Sequence, residues 1–273
     1  MIAREAGTGR PLVLIHGFGV DHRIMLPLEG ALDGLGWRRI YLDLPWAESG
    51  SRKPAAGSQE VADAVVNEIR THLGDEPFAL IGNSFGGMVA RHVAHALRDQ
   101  VLGLATLASV FTANHEDRIL PGHRVIHRDP AFVQDAALRE GWDDFEEEAV
   151  LQTADSFAGF TEYVLPGLRG SDQALMERIA AAYALDAEPE LAHPQPFDAP
   201  SLHLFGRQDN VTGYEDGWAV REHYPRGTFT VLDAAGHNLH LERPALVAAL
   251  LRDWIERVNI HSDAASLKPS ALT

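Results

Sequence analysis

Short apolar runs alternate with stretches whose apolar residues recur at helical spacing through most of the chain. The runs predict buried strands, and the stretches between them predict helices that cover both faces of a sheet. Strands are predicted at 12–15, 39–43, 78–81, 101–108, 201–205 and 229–232, and helices at 21–35, 61–73, 85–97 and 244–258. This alternation predicts an α/β fold with a mostly parallel central sheet and helices on both faces.

The middle of the chain breaks this alternation. Residues 112–196 keep helical periodicity and acidic runs but contain no convincing strand. The simplest interpretation is a helical cap, or lid, inserted into a core formed by residues 1–111 and 197–258. An insertion after the carboxyl end of a strand lies over the edge where such sheets bind ligands. Residues 259–273 are rich in Ser, Ala and Pro and predict a disordered tail.

Composition narrows the chemistry that this fold can host. The 273 residues include no cysteine and carry a formal net charge of −16, with lysine present only at Lys53 and Lys268. A thiol nucleophile and cysteine-bound metals are therefore excluded, and a lysine-based mechanism has almost no candidate residue. The acidic surface disfavours nucleic acid and anionic membranes as partners. Without a signal-peptide pattern or a membrane-spanning run, we predict a cytoplasmic protein.

One turn carries a nucleophile candidate. The sequence Gly82-Asn83-Ser84-Phe85-Gly86 lies between the predicted strand at 78–81 and the helix that follows it. A serine on such a sharp turn is strained and exposes its hydroxyl, while the flanking glycines allow close approach of neighbouring backbone. The positive end of the helix then points at the position where an oxyanion would form. We therefore predict that Ser84 is a catalytic nucleophile.

From about residue 7 to residue 258, the chain resembles the α/β-hydrolase superfamily of serine hydrolases. The resemblance implies a triad in which Ser84 is the nucleophile, Asp209 the acid and His237 the base, in the chain order that this family uses. Each of the three residues follows a predicted strand. Glu215 and Asp216 lie near Asp209 and stay open as alternative acids.

The loop after the first predicted strand, His16-Gly17-Phe18-Gly19, also matches the family. The resemblance implies that the backbone N–H groups of Phe18 and Phe85 form the oxyanion hole. His16 and His240 are interpreted as structural histidines and not as proton carriers.

Two departures from the family pattern bear on the substrate site and on assembly. Trp46 and Glu48 replace small residues in a loop that usually adjoins the pocket, which predicts an altered substrate site. Few residues precede the first glycine-rich turn, so the sheet edge is short, and we expect either an exposed edge or a homodimer that covers it.

Specificity is expected to come from the cap. We predict that substrate contacts are made by the residues Gly17, Trp46, Trp142, Phe157, Phe160 and Tyr163. The aromatic residues among them have a second interpretation as the core of the cap itself. An acidic run at 143–148 could meet a substrate amino group, although such runs are more often solvated helix faces.

The residues and the resemblance together predict a carboxylesterase-like enzyme. It would cleave an ester or lactone in a small-molecule substrate through an acyl-enzyme, with neither cofactor nor metal. Proline iminopeptidase-like amide hydrolysis and carbon–carbon bond hydrolysis on the same triad stay open, as does a hydrolase-like binding or receptor protein. A dinucleotide site is disfavoured because His22 occupies the third glycine position of that motif. No His-Glu-x-x-His motif suggests zinc.

Overall fold

The computed structural model describes residues 1–50 and 55–266. The strands are β1 (Ile2–Ala6), β2 (Arg10–Ile15), β3 (Trp37–Leu42), β4 (Phe78–Asn83), β5 (Val101–Leu107), β6 (His127–Arg128), β7 (Leu151–Gln152), β8 (Ser201–Gly206) and β9 (Gly227–Leu232). The α-helices are α1 (Glu29–Leu32), α2 (Ser58–Leu73), α3 (Phe85–Ala96), α4 (Pro130–Ala136), α5 (Trp142–Glu148), α6 (Ala154–Tyr163), α7 (Leu165–Gly170), α8 (Gln173–Ala181), α9 (Pro189–Ala192), α10 (Glu215–Ala219), α11 (Leu239–Glu242) and α12 (Pro244–Ser266). Short 3-10 helices lie at His22–Leu28, His115–Asp117 and Arg221–His223.

The central sheet confirms the predicted α/β architecture. Among the described residues it has seven strands in the order β1-β3-β2-β4-β5-β8-β9, parallel except for β1, which pairs antiparallel with β3. The register places Ile15 opposite Gly82, and Asn83 opposite Leu107. The carboxyl ends of β2, β4 and β5 therefore meet at one edge. Loops that follow these strands converge there, as expected for a parallel sheet.

The hydrophobic core lies on both faces of this sheet. On β2, Leu12 and Leu14 belong to the cluster that includes α12, while Val13 and Ile15 belong to the cluster that includes α2 and α3. Side chains of a strand alternate between its two faces, so a strand covered on both sides is apolar at every position. This explains the continuous apolar run that predicted β2.

The cap segment (residues 112–196) lies between β5 and β8 and holds α4 to α9. Its contacts with the core include a Ser171 hydroxyl that donates to the Gly19 carbonyl at 3.1 Å and an Asp172 N–H that donates to the Trp46 carbonyl at 2.9 Å. Arg91 of α3 binds Glu190 of α9, with 2.7 Å between Nε and Oε1. Hydrogen bonds thus fix the segment to the loops at the carboxyl edge, and a buried ion pair fixes it to α3.

Two sequence-based element predictions are wrong. The helix predicted at 21–35 is a 3-10 helix at His22–Leu28 followed by the short α1. Pro27 lies inside it, and proline cannot supply the N–H that a longer α-helix needs there. The cap segment also contains strands, because β6 and β7 pair in parallel over two residues each.

The prediction of a disordered tail from residue 259 onward is wrong as far as Ser266, because α12 continues to that residue. Arg10 explains part of this order: its Nη2 donates to the Asp263 carboxylate at 2.9 Å, and its Nη1 donates to the Ser262 hydroxyl. This contact joins residues more than 250 positions apart in the chain, which local composition cannot reveal. The rest of the predicted tail, 267–273, lies outside the described residues.

Candidate active site

Ser84 lies on a strained turn between β4 and α3. Its backbone has φ 52° and ψ −119°, in a region that residues other than glycine rarely adopt. A side chain on Gly86 would place its Cβ 2.3 Å from the Ile15 carbonyl oxygen, and one on Gly82 would lie 2.3 Å from the Gly86 carbonyl oxygen. Glycine is therefore required at position 82 for the turn to close and at position 86 for the turn to pack against β2. The sequence motif predicted this local geometry.

Asp209 follows β8 and is fully buried. Its Oδ1 accepts hydrogen bonds from the N–H groups of Val211 at 2.9 Å and Thr212 at 3.0 Å. Its Oδ2 accepts a third from the Thr212 hydroxyl at 2.7 Å. These donors orient the carboxylate and stabilise its charge.

His237 follows β9 and joins the other two residues. Its Nε2 lies 3.0 Å from Ser84 Oγ, and its Nδ1 lies 3.1 Å from Asp209 Oδ2. The structure thus brings together the three predicted triad residues in a hydrogen-bonded chain of nucleophile, base and acid. In this arrangement, Asp209 favours the tautomer whose Nε2 can accept the serine proton.

Burial and charge act in opposite directions on this pair. Burial disfavours the charged form of Asp209, but His237 and the donated hydrogen bonds outweigh it and hold the pKa of Asp209 below its usual value. Burial likewise opposes protonation of His237, yet the Asp209 carboxylate outweighs it and raises the pKa of His237. The imidazole is therefore a stronger base than an isolated histidine.

Neither alternative acid is bonded to His237. Glu215 and Asp216 lie in α10, and an Asp216 oxygen accepts from the Ile119 N–H at 3.4 Å. The geometry favours Asp209 because its carboxylate is both buried and in contact with the imidazole.

The two histidines interpreted as structural bind backbone groups. His16 is buried, with Nδ1 2.8 Å from the Gly17 carbonyl oxygen and Nε2 accepting from the Leu44 N–H at 2.9 Å. His240 Nε2 lies 2.9 Å from the Ile24 carbonyl oxygen. Burial lowers the pKa of both histidines, so both remain neutral scaffolding groups.

The predicted oxyanion-hole residues lie next to the nucleophile. A Cβ on Gly17 would lie 3.1 Å from Ser84 Cβ, so the loop that carries Phe18 packs closely against the turn that carries Ser84. Within the described residues, neither the Phe18 N–H nor the Phe85 N–H donates a hydrogen bond to a protein acceptor. Phe85 is the first residue of α3, where backbone N–H groups have no partner within the helix. Two free donors beside a nucleophile can stabilise a developing negative charge.

A cavity of about 260 Å³ opens onto Ser84 and His237. Apolar side chains from the core loops and the cap segment form part of its wall, namely Val20, Ile24, Phe160, Val164, Leu168 and Tyr183. Charged residues form another part: Asp144, Glu147 and Glu148 from α5, and Arg118 from the start of the cap segment. A volume of this size fits a small substrate.

Only some of the predicted substrate contacts line this cavity. Gly17 and Phe160 do, whereas Trp142, Phe157 and Tyr163 do not. Trp142 and Phe157 are buried in the aromatic core of the cap segment, with their rings 5.8 Å apart, and this bears out the second interpretation. Helical periodicity identified apolar residues but not which apolar face meets the cavity.

Trp46 also lies outside the cavity wall. Its indole N–H donates to the Val20 carbonyl at 2.9 Å. Its ring centroid lies 5.0 Å from that of Phe18 and 5.3 Å from that of Phe85. The side chain therefore packs against the two residues that are predicted to form the oxyanion hole. Its effect on the pocket is indirect, through packing.

Several residues around the site escaped the sequence analysis. Thr212 completes the hydrogen bonding of Asp209, and a Thr three residues after an Asp in a loop is the signal that could have identified it. Arg118 lines the cavity with its guanidinium held by the carbonyls of Thr112, Ala113 and Val211. No local pattern marks that role, since the loop residues meet only in the folded chain.

Comparison with known proteins places the fold. Residues 10–244 match the model of the alpha/beta hydrolase fold family. The chain is 29% identical over 254 residues to a pimeloyl-[acyl-carrier protein] methyl ester esterase of Neisseria meningitidis serogroup C, covering 91% of this chain and 94% of the relative. It is 26% identical over 262 residues to an (E)-2-((N-methylformamido)methylene)succinate hydrolase of Acinetobacter baylyi, covering 92% of each.

A solved structure agrees with these relatives. An alpha/beta superfamily hydrolase from Oenococcus oeni superposes with a TM-score of 0.87 at 26% identity, covering 94% of this chain and 95% of that one. This chain therefore belongs to the α/β-hydrolase family. Within residues 1–50 and 55–266, no helix has both the length and the apolarity needed to cross a bilayer.

Proposed function

We propose that this enzyme hydrolyses a carboxylic ester or lactone of a small substrate through an acyl-enzyme on Ser84. Ester hydrolysis agrees with the esterases among its relatives. The observation that carries the proposal is the continuous hydrogen-bonded path from Ser84 Oγ through the His237 imidazole to the Asp209 carboxylate. We further propose that residues 112–196 act as the cap that covers the substrate.

The first half of the reaction forms the acyl-enzyme. Ser84 Oγ attacks the ester carbonyl carbon while His237 Nε2 takes the hydroxyl proton. The carbonyl oxygen becomes an oxyanion that the N–H groups of Phe18 and Phe85 stabilise, each worth about 3 kcal/mol of barrier. His237 then returns its proton to the departing alcohol oxygen as the carbon–oxygen bond breaks.

The second half releases the acid. Water attacks the acyl carbon while His237 removes one of its protons, and the same N–H groups hold the second oxyanion. The bond from carbon to Ser84 Oγ breaks, and the proton on His237 restores the serine hydroxyl. Asp209 stays ionised throughout and stabilises each imidazolium, because His237 and the hydrogen bonds from Thr212 hold the pKa of Asp209 below its usual value.

One observation favours a second candidate, amide hydrolysis next to a free amino group. Asp144, Glu147 and Glu148 all line the cavity, and a wall of carboxylates attracts an ammonium group. The iminopeptidase-like alternative therefore remains a specific hypothesis. A panel of neutral esters, lactones and proline amides separates the two, because only the ester proposal predicts the highest kcat/KM on neutral esters.

Replacing the nucleophile tests the proposed mechanism. Ser84→Ala should lower kcat for short p-nitrophenyl esters by about 10⁴-fold or more, because no other group can form the acyl-enzyme. Ser201→Ala is the matched control: its hydroxyl is buried in β8 and has no hydrogen-bond partner among the described residues. That control should keep the parental rate. Parental turnover in folded Ser84→Ala would contradict the mechanism.

The remaining parts of the proposal concern the setting of the enzyme. We propose a cytoplasmic enzyme that acts on a free small molecule. We also propose a homodimer in which the partner covers the sheet edge at β1, since β1 is paired on one side only, with β3. Sedimentation equilibrium tests the dimer, which a monomer at micromolar concentration would contradict.

A further inference from the structure

Glu242 ends α11 and is 9% exposed. Its Oε1 accepts hydrogen bonds from the N–H groups of Val150 at 2.8 Å and Leu151 at 3.4 Å. Its Oε2 accepts from the Gly236 N–H at 2.6 Å. Within the part of the chain that the structure describes, no Lys, Arg or His forms an ion pair with this carboxylate. Three backbone donors alone compensate its burial.

These donors belong to two different parts of the molecule. Gly236 directly precedes His237, the proposed base. Val150 and Leu151 belong to the cap segment, immediately after α5, whose last residue Glu148 lines the cavity. One carboxylate therefore joins the loop of the base to the part of the cap that faces the substrate.

The two parts also touch directly. A Cβ on Gly236 would lie 2.6 Å from Val150 Cγ2 and 3.3 Å from the Glu148 carbonyl oxygen. The loop of the base therefore has no free space on its cap side. In addition, the Asn238 side-chain amide donates to Glu148 Oε2 at 3.3 Å, so contacts with the cap occur on both sides of His237.

A neutral side chain cannot reproduce this arrangement. A glutamine offers one acceptor oxygen, and its NH₂ group would face either the Gly236 N–H or the cap N–H groups, donor against donor. Burying a carboxylate is unfavourable unless donors replace its water shell. Both oxygens of Glu242 are needed for the bonds that it makes, since one serves the cap and the other serves the loop of the base.

We propose that Glu242 is a positioning residue that couples the cap segment to His237. By binding both Gly236 and the cap segment, the carboxylate keeps the His237 imidazole within hydrogen-bonding distance of Ser84 Oγ. This inference rests on the proposed function, in which His237 is the base. It assigns a role to the Leu241-Glu242-Arg243-Pro244 sequence, which the triad leaves without one.

Glu242→Gln tests the coupling, with Glu222→Gln as the matched control because Glu222 is exposed and paired only with its neighbour Arg221 among the described residues. We expect Glu242→Gln to lower kcat on p-nitrophenyl butyrate about 10- to 100-fold, the scale of a misplaced catalytic group. The rate constant for labelling Ser84 with a small fluorophosphonate should fall in parallel, while KM changes less. The control should match the parent in both.

A purely structural role gives a different result. It would lower the unfolding temperature of Glu242→Gln but leave kcat and the labelling rate per folded molecule unchanged, and that outcome overturns the proposal. If Glu242→Gln does not fold, Glu242→Asp serves in its place. Its shorter side chain keeps the charge but cannot reach both partners, so kcat and labelling should again fall together, and parental values would overturn the proposal.

Ser84→Ala measured alongside separates this inference from the proposed function. If Ser84→Ala keeps parental turnover, the mechanism fails, and the role of Glu242 fails with it. If Ser84→Ala is inactive while folded Glu242→Gln or Glu242→Asp is unimpaired in kcat and labelling, the mechanism stands and only the coupling is wrong.

Discussion

The two walls of the cavity differ in how firmly their carboxylates are held. On the core side, the Asp209 carboxylate accepts three hydrogen bonds of 2.7 to 3.0 Å besides its contact with His237. On the cap side, Glu148 receives a single bond of 3.3 Å from Asn238, and Asp144 pairs with the exposed Arg169. Catalysis depends on preorganised groups, whereas weakly held carboxylates can adapt to different ligands. We therefore propose that the core loops carry the reaction and that the cap segment sets the selectivity.

The largest effect should follow from the acid on the core wall. Asp209→Asn should lower kcat by about 10⁴-fold, because an amide cannot hold His237 in the reactive tautomer or stabilise the imidazolium. Asp216→Asn is the matched control and should keep the parental rate, since Asp216 contacts the backbone at Ile119 and not the imidazole. Steady-state kinetics on p-nitrophenyl butyrate measures both. A large loss in Asp216→Asn with a small one in Asp209→Asn would reverse the assignment.

Two phenylalanines of α6 give an effect of intermediate size on the cap wall. Phe160 lines the cavity and Phe157 does not, although both belong to the same core cluster. Phe160→Ala should shift the preference between butyrate and octanoate esters roughly tenfold toward the longer chain, because it enlarges the pocket. Phe157→Ala should lower the free energy of unfolding by about 3–5 kcal/mol and leave that preference unchanged. An equal shift in both variants would mean that the cap core sets the pocket only through its stability.

The smallest effect concerns the charge of the cap wall. Burial raises the pKa of Glu148. When the Glu148 carboxylate is ionised, its negative charge favours the protonated form of His237 and so raises the pKa of His237. Glu148→Gln should therefore lower the pKa of His237 and move the acid limb of the kcat/KM profile to lower pH, because the base must be neutral to act. Glu140→Gln is the matched control, because Glu140 is exposed and lies just before α5, and it should leave the pH profile unchanged. A shift to higher pH in Glu148→Gln would contradict this interpretation.

The difference between the core side and the cap side also explains which parts of the fold and of the candidate site could be predicted from the sequence. On the core side, the nucleophile turn has a local cause: glycines at 82 and 86 are required by approaches of 2.3 Å, and they are visible as letters in the chain. The triad partners follow strands whose carboxyl ends share one edge, so their meeting follows from the predicted parallel order. The meeting of the three residues could therefore be predicted from the strand order, whereas the choice of Asp209 and His237 as the partners of Ser84 depended on the resemblance to the α/β-hydrolase superfamily.

On the cap side, the local pattern of hydrophobic residues could not predict which side chains face the cavity. Trp142, Phe157 and Phe160 have the same hydrophobic character, yet only Phe160 faces the cavity, because the packing between helices decides which side of each ring is covered. Arg10 contributes to the order of residues 259–266, and the contacts of Glu242 join α11 to β7, 91 positions earlier in the chain. Contacts that span the chain leave no trace in periodicity.

The most direct test of the account is the mass of the peptide that contains Ser84 after reaction with a fluorophosphonate. We predict one phosphonyl adduct on Ser84, formed in step with the loss of esterase activity, retained in Ser201→Ala and absent from Ser84→Ala. Complete loss of activity with the adduct on another residue would contradict the claim that the core loops carry the reaction. Full esterase activity of the folded enzyme after prolonged treatment with the fluorophosphonate, with Ser84 unlabelled, would contradict it as well.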